Sequence, residues 1–167
     1  MIARLSLTQV DGPCTDQSHW PPELAKEAGL LLGSFVPRGR VMLFVPDRDR
    51  VGRAIEVGAL LDDLKGRISE ATAGSFALGG GEGRYSPPGG LSIRENTTVI
   101  LVYLPVAYEA DLPRRLLDIF IAFGCSAEQA AVQVEVGGRG FWLPTGLLLE
   151  QASRRREQVE GVALRLG

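Results

Sequence analysis

Two short runs, Val41-Met42-Leu43-Phe44-Val45 and the stretch from Val99 to Leu104, are apolar at every position. Runs of this length are too short for a core helix, and an unbroken apolar strand must be covered on both faces. Pro46 and Asp47 end the first run. Two further segments behave differently: Phe76 and Leu78 alternate with smaller residues, and Val132, Val134 and Val136 alternate with Gln133 and Glu135. A period of two with one polar face marks an outer strand, and the second of these reads as an edge strand. Between the strands, Val57, Leu60, Leu61, Leu64 and Ile68 recur at helical spacing from Ala54 onward, opposite Asp62, Asp63, Lys65 and Arg67. A second amphipathic helix, with Leu116, Leu117, Ile119, Phe120 and Phe123, has Asp111 as N-cap and Pro113 in its first turn, and Gly124 closes it. The order is strand, helix, strand, strand, helix, strand.

Because βαβ crossovers are right-handed, two interlocked units of this kind put the first and third strands in the centre and the second and fourth outside. The apolarity of the four strands matches that order and predicts an α+β protein with a ferredoxin-like βαββαβ core over residues 41–136. Helices cover one face of such a sheet only. The other faces of Met42, Phe44 and their neighbours therefore need cover, since contiguous apolar patches beyond a few hundred Å² are uncommon on monomers. Either the chain's own N-terminal extension or a second copy meeting it through a two-fold axis supplies that cover, and a homodimer or larger oligomer is expected.

Residues 1–40 form that extension. Ala3, Leu5 and Leu7 alternate with polar residues as a strand, and Pro21-Pro22 start a helix from about Glu23 to Leu32 that Gly33 stops. Residues 137–167 hold a turn at Gly137 to Gly140, apolar Phe141 and Trp142, and a last helix from about Thr145. One domain with these embellishments is expected for 167 residues of 45% apolar content.

Eighteen basic and twenty acidic side chains leave a charge of −2, which gives no general attraction for nucleic acid or anionic lipid. Cys14 and Cys125 form neither a disulfide framework nor a metal-knuckle spacing, so a reducing, cytoplasmic setting is expected. No export signal is expected, because Ser6, Thr8 and Gln9 break the apolar character of the first residues, and the stretch around Val99 to Ala107 is too short to cross a bilayer.

The segment Gly79-Gly80-Gly81-Glu82-Gly83 with Pro87-Pro88-Gly89-Gly90 encloses Arg84 and Tyr85 and reads as a loop or bulged hairpin tip. It lacks the Lys-Ser/Thr of a phosphate cradle and does not open a helix. Arg84, Tyr85, Arg94 and Glu95 lie at corresponding ends of the hairpin, where two guanidinium groups and a phenol could receive a small carboxylate or phosphate ligand. The bland alternative is a solvated ion-pair cluster. Gly81 to Tyr85, Gly89-Gly90 and Glu95 resemble a pattern in small, largely uncharacterised bacterial proteins of ferredoxin-like fold, over about half the chain. In them a glycine-flanked aromatic ends the second strand and a Glu precedes the third; Tyr85 stands here where Trp would be usual. The resemblance implies the fold more than an activity.

Asp47 and Asp49 follow the first central strand, a place from which carboxylates could hold a divalent cation, but the alternation Asp47-Arg48-Asp49-Arg50 is self-neutralising. Cys14, Asp16 and His19 share one loop yet are too few to enclose an ion. Arg154 to Arg156 are balanced by Glu150, Glu157 and Glu160. No residue set implies a metal or a cofactor. The sequence reading is therefore a non-enzymatic binding or regulatory module that self-associates through its sheet and binds a small anion near residues 83–95. Its alternatives are a small metal-dependent nuclease or RNA-processing enzyme using Asp47 and Asp49, and a cofactor-independent small-molecule enzyme using Tyr85, Arg84 and Glu95.

Overall fold

The computed structural model describes residues 22–72, 75–86 and 92–145. Its elements are α1 (Pro22–Leu32), β1 (Arg40–Pro46), α2 (Val57–Thr72), β2 (Ser75–Tyr85), β3 (Ile93–Tyr103), α3 (Leu112–Ser126), β4 (Ala131–Val136) and β5 (Arg139–Pro144). All neighbouring strands run antiparallel in the order β2-β3-β1-β4-β5. The inner pair β1 and β3, with β2 and β4 flanking it, is the ferredoxin-like order expected from the apolar runs.

One correction concerns the edge. Val136 and Arg139 are paired across a two-residue turn, Gly137-Gly138, in which both φ angles are positive, 59° and 81°. Two such angles suit the twist of a tight hairpin and favour glycine. β5 therefore extends the sheet, and β4 lies inside it rather than at its border.

Alternate residues of β1, β3, β4 and β5 face one apolar layer. Val41, Leu43, Val45, Ile100, Val102, Val132, Val134, Phe141 and Leu143 share a core with Leu60, Leu64 and Ile68 of α2 and with Leu116, Leu117, Phe120 and Phe123 of α3. Leu24, Ala28 and Leu31 of α1 belong to the same core, and α1 packs on β5 and α3. The helix of the N-terminal extension thus lies on the side already occupied by helices and does not cover the opposite face. Among the described residues no helix does, and Met42, Phe44 and Val99 are half-buried there. The expected strand at Ala3 to Leu7, the loop with Cys14 and His19, and the C-terminal helix with Arg154 to Arg156 lie outside the described residues.

Two glycine readings also change. α3 continues through Gly124 to Ser126. A Cβ at Gly124 would collide with Val132 Cγ2 and stand 2.7 Å from Thr145 Cγ2, so this glycine permits close approach of helix and strand rather than ending the helix. The glycine-rich run is not the hairpin tip. It lies within β2, and the register shifts between Leu78 and Gly81 as a bulge. Among the described residues no helix is long and apolar enough to cross a membrane.

Candidate functional site

The face without helices carries a cleft of about 360 Å³ at the end of β1, within the size range of small-ligand sites. Its geometry follows from strand register. Phe44 is opposite Val99 on one side and Gln133 on the other, and Gln133 is opposite Trp142, so these four residues form one row across the sheet. The next row runs from Pro46 through Thr97 to Gly81, and beyond it Gly83 faces Glu95. Every one of these residues lines the cleft, with Asp49, Arg50, Gln129 and Ala131 closing its far end. Two aromatic rings, Phe44 and the 51%-exposed Trp142, therefore line one cleft with the carboxylate residues Glu95, Glu82 and Asp49.

Glu95 is half-buried. Burial holds its carboxyl above the ordinary carboxylate range, the negative charge of Asp47 adds to this, and a hydrogen bond from Thr97 works against it. Glycines make its surroundings tight. A Cβ at Gly83 would stand 3.2 Å from Thr97 Oγ1 and 3.5 Å from Glu95 Oε1. A Cβ at Gly80 would meet the Thr97 carbonyl oxygen at 2.5 Å, which the backbone cannot accommodate.

The expected ligand residues fall in one stretch of the β2–β3 ladder. Arg84 and Arg94 are directly opposite one another on β2 and β3, and Tyr85 is opposite Ile93. Neighbouring residues of a strand point to opposite faces, so Arg94 is turned away from Glu95. Arg94 is exposed and ion-paired with Glu82, and Arg84, its cross-strand neighbour, shares that face by register while bordering the cleft.

Asp47 and Asp49 are committed to structure. Asp47 accepts hydrogen bonds from the backbone N–H and the side-chain amide of Asn96, both at 2.9 Å, and the side-chain bond leads in holding its pKa below the ordinary value. Asp49 is 4% exposed; its Oδ1 accepts the N–H groups of Val51 and Arg53, and its Oδ2 accepts Arg53 Nε at 2.6 Å. Burial pushes Asp49 up, and these bonds together with the Arg53 charge outweigh it, leaving the pKa lowered. Arg53 also reaches Glu128 at 2.7 Å, tying the loop after β1 to the turn before β4. Among the described residues no group of three or more His, Cys, Asp or Glu side chains could hold a metal ion.

Sequence reasoning missed Phe44 and Trp142 as site residues. Phe44 reads as core from sequence because its run is apolar throughout. The signal for Trp142 was the Gly137-Gly138 pair, a two-residue hairpin loop that brings β5 beside β4 and Trp142 into the row of Gln133.

No protein-family model and no curated protein matches the chain. Two solved structures do, both of a phage SAM lyase. The apo form has a TM-score of 0.52 at 14% identity, covering 66% of this chain and 94% of the lyase chain. The form in complex with S-methyl-5'-thioadenosine has a TM-score of 0.48 at 17% identity, covering 65% and 87%. At this identity the likeness to the apo form is one of fold. It nevertheless corrects the expectation of a non-enzymatic binding or regulatory module, because the apo chain that shares this fold is of a lyase. That likeness matches neither a metal-dependent nuclease using Asp47 and Asp49 nor a cofactor-independent enzyme using Tyr85, Arg84 and Glu95.

Proposed function

We propose that the protein is a lyase that takes a sulfonium nucleoside of the S-adenosylmethionine type into the cleft on its helix-free sheet face. The observation that carries this reading is the placement of the half-buried Glu95 carboxylate in one cleft with the rings of Phe44 and Trp142. A sulfonium ion is a cation carried on apolar carbon. It gains from a carboxylate countercharge and from aromatic faces, whose quadrupole attracts cations within about 6 Å. The likeness in fold to a SAM lyase supports the same substrate class.

Sulfonium is already an activated leaving group. When its C–S bond breaks, the bonding pair goes to sulfur and leaves a neutral thioether; a lyase adds no water, so a carboxylate oxygen of the departing amino-acid fragment supplies the electron pair for a new C–O bond to the carbon that loses sulfur, and no external proton or oxidant is needed. Such a reaction asks the protein chiefly to bind, orient and exclude water. Glu95, Phe44 and Trp142 hold and orient the cation. The test is incubation of purified protein with S-adenosylmethionine, followed by chromatography. Consumption with release of a thioether nucleoside and no methylated acceptor is the expected result. Folded protein that neither consumes nor binds S-adenosylmethionine overturns the reading.

We also propose self-association through the opposite end of the same face, where Met42 is half-buried and Tyr103 is 56% exposed. An apolar surface next to a working cleft favours a second copy as its cover. Light scattering should give a multiple of the 18.0 kDa chain mass, and Tyr103→Lys should reduce it. A monomer at micromolar concentration refutes self-association.

A further inference from the structure

The glycines of β2 differ in what a side chain would meet. A Cβ at Gly80 collides with backbone, and one at Gly83 presses on Thr97 and Glu95, but at Gly81 nothing lies within 4 Å. Gly81 has no positive φ and is the first residue after the bulge to pair, with Thr97. Backbone conformation and packing therefore give no reason for glycine there, and in a strand interior glycine costs conformational entropy relative to a residue with a side chain. Yet Gly81 lines the cleft. Strand pairing puts its missing side chain on the same face as that of Thr97, in the row that also contains Pro46, between Glu95 on one side and Phe44 on the other.

We propose that Gly81 is the size-determining residue of the cleft: its missing side chain is the space that a ligand group occupies above Thr97. This deepens the reading of the cleft as a substrate site and rests on it. Gly80 and Gly83 serve the protein's own geometry, one the bulge and the other the carboxylate, whereas Gly81 serves the bulk of what binds. A side chain at 81 fills that space without disturbing the sheet, so affinity falls as side-chain volume rises while folding holds.

The experiment titrates wild type, Gly81→Ala, Gly81→Leu and the control Gly140→Leu with two probes, S-adenosylmethionine and the apolar dye 1-anilinonaphthalene-8-sulfonate, and records Tm for each. Gly140 is a fit control because it lies on β5 with nothing within 4 Å and does not line the cleft. The expected result is a graded loss on either probe that the wild type binds, about threefold for Ala and at least tenfold for Leu, with Tm at or above wild type and no loss for Gly140→Leu. The alanine variant, the smallest step, keeps the test decisive if the leucine variant does not fold. Wild-type binding of the dye but not of S-adenosylmethionine overturns the substrate reading and leaves the size argument to be decided by the dye. Undiminished binding in both Gly81 variants, or equal loss in Gly140→Leu, overturns the proposal for Gly81. A wild type that binds neither probe overturns both.

Discussion

Asp47 and Asn96 are joined twice, with the Asn96 backbone N–H and side-chain amide each donating to a different Asp47 carboxylate oxygen at 2.9 Å, while Asp47 N–H returns a bond to the Asn96 carbonyl. The pair fastens the end of β1 to the start of β3, one residue from Glu95. Asp47→Ala removes the two bonds its side chain accepts. Because the site is solvent-accessible, the expected loss is about 1 kcal/mol of stability, read by denaturant titration. The Asp47 pKa is lowered in the folded protein, so this contribution is present above the unfolded value of about 3.9 and disappears as pH falls through the folded one. The same substitution removes a negative charge that raises Glu95, so the Glu95 pKa followed by NMR should fall.

Glu95 has the opposite linkage. Its pKa is raised on folding, so the ionised form costs stability above the folded pKa, and the cost vanishes as pH drops below the unfolded value of about 4.3. Glu95→Gln should therefore raise Tm at pH 7 and match wild type near pH 4. It should also lower kcat/KM for S-adenosylmethionine by about 30-fold or more, since losing the countercharge of a desolvated ion pair costs roughly 2 kcal/mol or more. A variant that is more stable and equally active would remove Glu95 from the site.

Asp49 acts on shape. It is buried with its oxygens taken by Val51 and Arg53, and Arg53 is itself largely exposed. Asp49→Ala should cost about 2 kcal/mol by leaving two backbone N–H groups unpaired. A change of less than about 0.5 kcal/mol in thermal unfolding would show the loop to be held by other contacts.

Gly124→Ala adds a methyl group where Val132 and Thr145 already stand. Overpacking of this kind costs about 1–3 kcal/mol, and Tm should fall accordingly. Val132→Ala in the same chain should recover part of the loss, because it removes one of the two colliding groups.

Much of this architecture is written in local pattern. The apolar runs at Val41 to Val45 and Val99 to Leu104, and the helical spacing from Val57 to Ile68, specify β1, β3 and α2, because burial on two faces and on one stripe leave different periodicities. The place of β5 is not so written. Arg139 to Pro144 is short and mixed in composition, and what ranks it as a strand is its pairing with β4 after the Gly137-Gly138 turn. Asp47 and Asp49 are alike as letters, yet one is bound to Asn96, 49 positions away, and the other to its own loop.

The amino-acid order alone thus determines the βαββαβ core, since each strand and helix declares its faces through side chains close together in the chain. The tertiary structure alone decides the cleft. Phe44, Thr97, Gly81, Glu95 and Trp142 come from four strands, and antiparallel register brings them to one face. Register between distant strands is set by the summed burial of the opposite face, which no local window of sequence contains.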